Sequence, residues 1–292
     1  MKGLGTRRCA AALALASALL LAATGRATAQ ETEEEKPQPP PSIPKLAGQA
    51  VVKEVTRYLS DSIAYVGAPL HWEKSDIDKF AGSAVIVGGL IAADPTLYRN
   101  IQNTRSNFTN NVAAATTVFG AGGAWGTAGG LIIVGLVSGS DGMRDMGRDS
   151  LETLVFATTL NDLILKPGFG RWRPIEADGQ NKFEPFSKHN SFPSGHAVTA
   201  WSVASVVAMR APGWIIPTIA YGLATVVAFD RVNDQAHFMG DVVAGALFAT
   251  ATGRFLVKRH LGLAHTAGTD KESSLSIEVV PIRDGAALRF VF

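Results

Sequence analysis

Lys166-Pro-Gly-Phe-Gly-Arg-Trp-Arg173-Pro174, Pro193-Ser194-Gly195-His196 and Arg231-Val-Asn-Asp-Gln-Ala-His237-Phe-Met-Gly-Asp241 are three polar clusters set between apolar runs. Each combines fixed cations or imidazoles with small residues that let backbone approach a ligand closely. That is the composition of an anion site. The apolar runs between them carry helical periodicity, with Gly and Pro as punctuation, so the clusters fall at helix ends.

Outward from this stretch, from Leu46 to about residue 258, the pattern stays helical. It predicts helices over 47–67, 76–93, 106–138 (broken between Gly120 and Gly130), 144–165, 197–210, 214–229 and 239–258. The glycines Gly120, Gly122, Gly123, Gly126, Gly129 and Gly130 read as places where helices approach closely. Val112–Ser140 and Ala211–Phe229 are uncharged and long enough to span a bilayer, but their Gly, Thr, Ser and Pro content lowers their transfer energy. With mean hydropathy only slightly positive, the chain reads as a soluble bundle, and a membrane-embedded body is the alternative.

The ends differ from the middle. Residues 1–29 have a basic start (Lys2, Arg7, Arg8), an apolar run and an Ala27-Thr28-Ala29 end, the pattern of a secretory signal peptide. Residues 30–44 are acidic, then proline-rich, and read as an extended linker. In residues 263–292, alternation over Ser274–Val279 and the turn residues Arg283-Asp284-Gly285 predict a linker and a short β-hairpin. Residues 45–262 are left as one helical domain.

Removing residues 1–29 takes away Lys2, Arg7, Arg8 and Arg26 and no acid, so the formal charge falls from +2 to −2. No global basic field remains to draw nucleic acid. Cys9, the sole cysteine, leaves with the same segment, so neither disulfide nor thiol chemistry is expected in the mature chain. Export points to a bacterial periplasm.

Taken singly, each cluster is modest. Lys166, Arg171 and Arg173 could be a solvated basic turn. Ser194 is placed to cap the following helix, whose free N–H groups and dipole suit a phosphate-like anion, with room supplied by Gly195 and a proton by His196. His237 and Asp241, four apart, would share a helix face where the carboxylate takes the Nδ1 proton and leaves Nε2 for a ligand. Such an imidazole can bind metal, act as a base or attack as a nucleophile. A metal could draw on His196, His237, Asp234 and Asp241, but Lys166, Arg173 and Arg231 would oppose a divalent ion and neutralise an oxyanion.

Together the clusters resemble the type 2 phosphatidic acid phosphatase (PAP2) superfamily, which includes bacterial acid phosphatases and vanadium haloperoxidases. Lys166 and Arg173-Pro174 match its Lys-x6-Arg-Pro motif, residues 193–196 its Pro-Ser-Gly-His, and Arg231, His237 and Asp241 its Ser-Arg-x5-His-x3-Asp, with every internal spacing kept. Asp230 departs from the pattern by standing where the family has Ser.

The resemblance implies an all-α bundle that hydrolyses phosphate monoesters, lipid or small and soluble, without metal or other cofactor. Lys166, Arg173, Ser194, Gly195 and Arg231 would hold the phosphoryl oxygens, His237 oriented by Asp241 would attack phosphorus, and His196 would serve the leaving alcohol and then water. Trp172, Phe186 and Phe192 would wall the entrance or simply pack, while His71 and His189 match no motif. Three alternatives stay open: a haloperoxidase holding vanadate in the same cradle, a non-catalytic anion-binding protein, and a structural membrane protein.

Overall fold

The computed structural model describes residues 43–266, 276–282 and 285–291. The signal peptide expected over 1–29 and nearly all of the 30–44 linker lie outside the described residues. The helices are α1 (Ile43–Gly67), α2 (Lys74–Asn103), α3 (Asn107–Thr116), α4 (Gly122–Ser138), α5 (Asp141–Leu160), the short α6 (Lys166–Phe169), α7 (Gly195–Arg210), α8 (Ile215–Asn233) and α9 (Met239–Thr266). Strands β1 (Ser276–Ile282) and β2 (Gly285–Val291) pair antiparallel with Ser276 opposite Val291, and belong to a different compact unit from residues 58–271. The site lies wholly within that larger unit, whose described residues, 58–266, form an all-α bundle.

Helix α7 is the central element, packed on α9, α8 and α5. Its face is made of small residues: Ala197 meets Ala228, Val232 and Val242, and Val198 meets Ala157 and Ala249. Close approach to α9 depends on Gly245, where a Cβ would sit 2.8 Å from the Ser194 carbonyl oxygen. A methyl there would push the start of α7 away from α9.

Helix α2 runs through Pro95, where the sequence predicts a stop near residue 93. Proline leaves the carbonyl four residues back without its helical donor. Here the Asn181 side-chain amide donates to the Ile91 carbonyl at 2.5 Å. A distant loop thus supplies what the local sequence lacks.

The predicted break in the 106–138 helix is present, as a 3-10 turn at Thr117–Gly120 followed by a 51° bend into α4. The glycines around it divide in two. A Cβ at Gly120 would meet His196 and Val227, whereas Gly122, Gly126, Gly129 and Gly130 have nothing within 4 Å, so these four do not mediate close helix packing.

The expectation of a soluble periplasmic bundle is overturned. Helices α2, α8 and α9 are each long and apolar enough to cross a membrane, and the bent α3–α4 pair adds a fourth if it is one span. Only 6% of the apolar window of α2 is buried within the protein, and only 28% of that of α8. Ile86, Ile133, Val137, Ile216 and Ile219 are all exposed, more apolar surface than a water-soluble bundle presents. The chain is an integral membrane protein. Its hydroxyl residues had argued the other way, but Thr218 Oγ1 donates to the Trp214 carbonyl at 2.7 Å, and Thr225 and Ser138 bond back in the same way. Satisfied inside the helix, such hydroxyls cost little in hydrocarbon.

Candidate active site

The three clusters converge at one end of the bundle, where α7 and α9 begin and α8 ends. The first arrives through a distorted turn. Helix α5 passes through a π turn at Asn161–Leu165 into α6, and Gly170 reverses the chain at φ 54°. A Cβ at Gly170 would lie 1.8 Å from the Glu184 carbonyl oxygen, so only glycine fits. The turn sets the Lys166 ammonium over the start of α7, where a Cβ on Gly195 would be 3.1 Å from its Nζ. Lys166 also pairs with Asp162 at 2.8 Å. A cavity of about 260 Å³ opens beside it, lined by Asp162, Pro167, Ser187, Lys188, His189 and Asn190.

Ser194 precedes the first residue of α7, but its side chain makes no cap bond. Its Oγ is buried without a hydrogen-bond partner, as is Arg231 Nε. Both are donors left available in the cradle. Arg231 Nη2 is already engaged by Thr117, by Asp230 Oδ2 at 2.6 Å and by Asp234 Oδ2 at 3.2 Å. Arg173 is held by Asn190 Oδ1, 3.2 Å from both Nε and Nη2.

His237 is buried and lies two residues before α9, so the regular i, i+4 face expected for it and Asp241 does not form. Its Nδ1 is 2.7 Å from the Ser191 carbonyl oxygen and 3.7 Å from Asp241 Oδ2. A carbonyl can only accept, so Nδ1 carries the proton and Nε2 keeps its lone pair. The direct partner of Nδ1 is thus Ser191, where the sequence pointed to Asp241.

Asp241 acts one step back. Its Oδ2 accepts from Ser191 Oγ at 2.6 Å and from the Phe238 N–H at 2.8 Å, and its Oδ1 accepts from Arg171 Nη1 at 2.5 Å. Arg171, with no exposed surface, also binds Asp94 Oδ2 at 2.8 Å and the Asn181 side chain. Asp94 Oδ1 in turn accepts from the Gly240 N–H at 2.9 Å. Sequence reading left Arg171 in a solvated basic turn and did not single out Asp94, Asn181 or Ser191. A helix predicted to end before Asp94-Pro95 gave no reason to look there.

The electrostatics favour two neutral imidazoles. Burial first, then Arg231, His237, Lys166 and Arg173, push the His196 pKa down to about 4. Burial lowers His237 as well, against the opposing pull of Asp241. That Arg231, Lys166 and Arg173 all act on His196 shows the three motifs sharing one field.

The remaining candidates are peripheral. Trp172 stacks on His189 with ring centroids 3.6 Å apart and carries Lys182 over its face. Phe192 is buried against Phe169, and Phe186 is 88% exposed. Asp234 pairs with Arg105 and Arg231. His71 is exposed.

Comparison with known proteins finds similarity in the part of the chain that carries these groups. Residues 150–262, which carry all three motifs, match the model of the PAP2 superfamily. The chain is similar to the lipid A 1-phosphatases of Rhizobium etli (38% identical over 108 residues, 35% of this chain and 45% of that protein) and Rhizobium johnstonii (38% over 101 residues, 33% and 40%). The match spans less than half the length of either relative. Among solved structures, the bundle resembles the transmembrane PAP2-type phosphatidylglycerolphosphate phosphatase of Bacillus subtilis, with a TM-score of 0.50 and 20% identity over 64% of this chain and 96% of that one. The likeness to Aquifex aeolicus LpxE has a TM-score of 0.42 and 22% identity, over 56% and 93%.

Proposed function

We propose that the protein hydrolyses a phosphate monoester carried by a membrane lipid, through a phosphohistidine and without a catalytic metal, with residues 45–262 as the catalytic domain. The observation that carries the reading is the placement of His237 Nε2, unprotonated by virtue of the Ser191 contact, in the same cationic field as His196. Lys166, Arg173, Arg231, Ser194 Oγ and the backbone N–H groups of Gly195 and His196 hold the phosphoryl oxygens and stabilise charge during transfer. Nε2 of His237 bonds to phosphorus as the bond to the leaving oxygen breaks. His196 gives that oxygen a proton, then takes one from the water that cleaves the phosphorus–nitrogen bond.

A lipid ester is favoured over a small soluble one because the site lies where α8 ends and α9 begins, at the end of two membrane-length helices. A lipid head group resides at that depth. Similarity to lipid A 1-phosphatases points the same way. Membrane embedding thus becomes the means of reaching the substrate.

Millisecond quench of the detergent-purified protein with a phosphatidate substrate, kept out of acid, should trap phosphate on His237. Initial rates should survive EDTA and be blocked by vanadate. Wild-type turnover by His237→Ala would overturn the assignment, and loss of rate in EDTA restored by a divalent ion would replace it with metal-assisted hydrolysis.

A further inference from the structure

A second polar cluster, unused by the reaction, lies at the other end of the bundle. Asp241 and His260 are both on α9, nineteen residues apart, which is roughly 28 Å along the helix axis. Asp61 on α1 and Glu152 on α5 are 2% and 1% exposed, and the His260 side chain is 9% exposed. Their donor atoms all lie within 4.8 Å of one another, with His260 Nε2 2.9 Å from Asp61 Oδ2 and 3.8 Å from Glu152 Oε2.

The surroundings of these three atoms are specific. His260 Nδ1 is 2.8 Å from Asp149 Oδ1, and the other oxygen of Asp149 accepts from Arg210 Nε at 2.6 Å. A carboxylate on Nδ1 directs the imidazole lone pair at Nε2 inward, the outer arrangement that metal-bound histidines have. Arg259 Nε takes Asp61 Oδ1 at 2.6 Å, which leaves Oδ2 turned to His260. The arginines thus occupy the outward oxygens while one nitrogen and two carboxylates converge.

The three donor atoms are close enough to share one small ion, or to be closed by a proton on Nε2 shared with Asp61. A donor set of one imidazole and two carboxylates suits a borderline divalent ion of the zinc type. We infer that Asp61, Glu152 and His260 form a structural binding site for such an ion, which fastens α1, α5 and α9 together at the end of the bundle remote from the phosphate site.

The test uses the full chain in detergent, purified on a tag without histidines, incubated with zinc alone and desalted. Elemental mass spectrometry should find about one zinc retained per chain, and zinc should raise the midpoint of thermal unfolding. Glu152→Gln keeps the arginine–carboxylate and His260–Asp149 pairs and should weaken zinc binding about tenfold or more, since metal sites lose that much when a supporting group goes. Asp61→Asn should do the same. Rates of phosphate release should not follow zinc content, so failure here is separable from failure of the proposed reaction. No retained zinc with an unmoved midpoint, or equal affinity in wild type and Glu152→Gln, would show an ion-pair network closed by a proton and overturn the inference.

Discussion

In the proposed reaction His196 must carry a proton to serve a leaving alcohol, yet burial and the surrounding cations hold its pKa at about 4. The resolution lies in the ligand. A phosphate dianion offsets Arg231, Lys166 and Arg173, so binding favours the imidazolium and the pKa must rise. NMR of ring-labelled histidine should find His196 titrating near 4 without ligand and well above that with phosphate bound; a value unmoved by phosphate would place His196 outside the anion's field. Asp230, the one departure from the family pattern, braces Arg231 Nη2 from inside the bundle. Asp230→Ser should therefore leave turnover within about tenfold of wild type, ~1.4 kcal/mol in the barrier. Abolished turnover in a folded variant would give Asp230 a direct role.

At the scale of elements, the joint between α2 and α9 sets the site. Asp94 accepts from Gly240 at the start of α9 and pairs with Arg171, which pairs with Asp241. All three side chains are fully buried, so removing one partner strands a charge. Asp94→Ala is expected to cost about 3–5 kcal/mol, read as a large drop in the unfolding midpoint together with reduced turnover. An unchanged midpoint would mean that Arg171 is held adequately by Asp241 and Asn181 alone. Asn181→Ala should be milder, about 1–3 kcal/mol for the Ile91 carbonyl left without a donor.

At the scale of the whole molecule, the exposed faces of α2 and α8 require a hydrocarbon environment. The protein should remain in the membrane fraction through high-salt and alkaline washes and be released by detergent. Release by alkaline wash alone would contradict the assignment of α2, α8 and α9 as spans. The proposed phosphate site at the ends of these helices then predicts faster release from lipid phosphates presented in mixed micelles than from water-soluble esters.

The sequence by itself determined the helical class and the break near Gly120, and it singled out Lys166, Arg173, Ser194, Gly195, His196, Arg231, His237 and Asp241, which the fold brings to one end of the bundle. Those are local properties: periodicity, glycine placement and motif spacing survive in one dimension. Tertiary structure alone decided the rest. Pro95 could stay inside α2 only because Asn181 reaches the Ile91 carbonyl from elsewhere in the chain. His237 is oriented by the Ser191 carbonyl, a backbone atom 46 residues away that no motif marks. Arg171 looks like a surface cation until the fold surrounds it with Asp94 and Asp241. Membrane placement was misread because composition counts a threonine as polar, whereas the helix has already satisfied its hydroxyl. Residue types and spacings limit what chemistry is possible, but which polar groups are satisfied, and by whom, depends on contacts between segments distant in the chain.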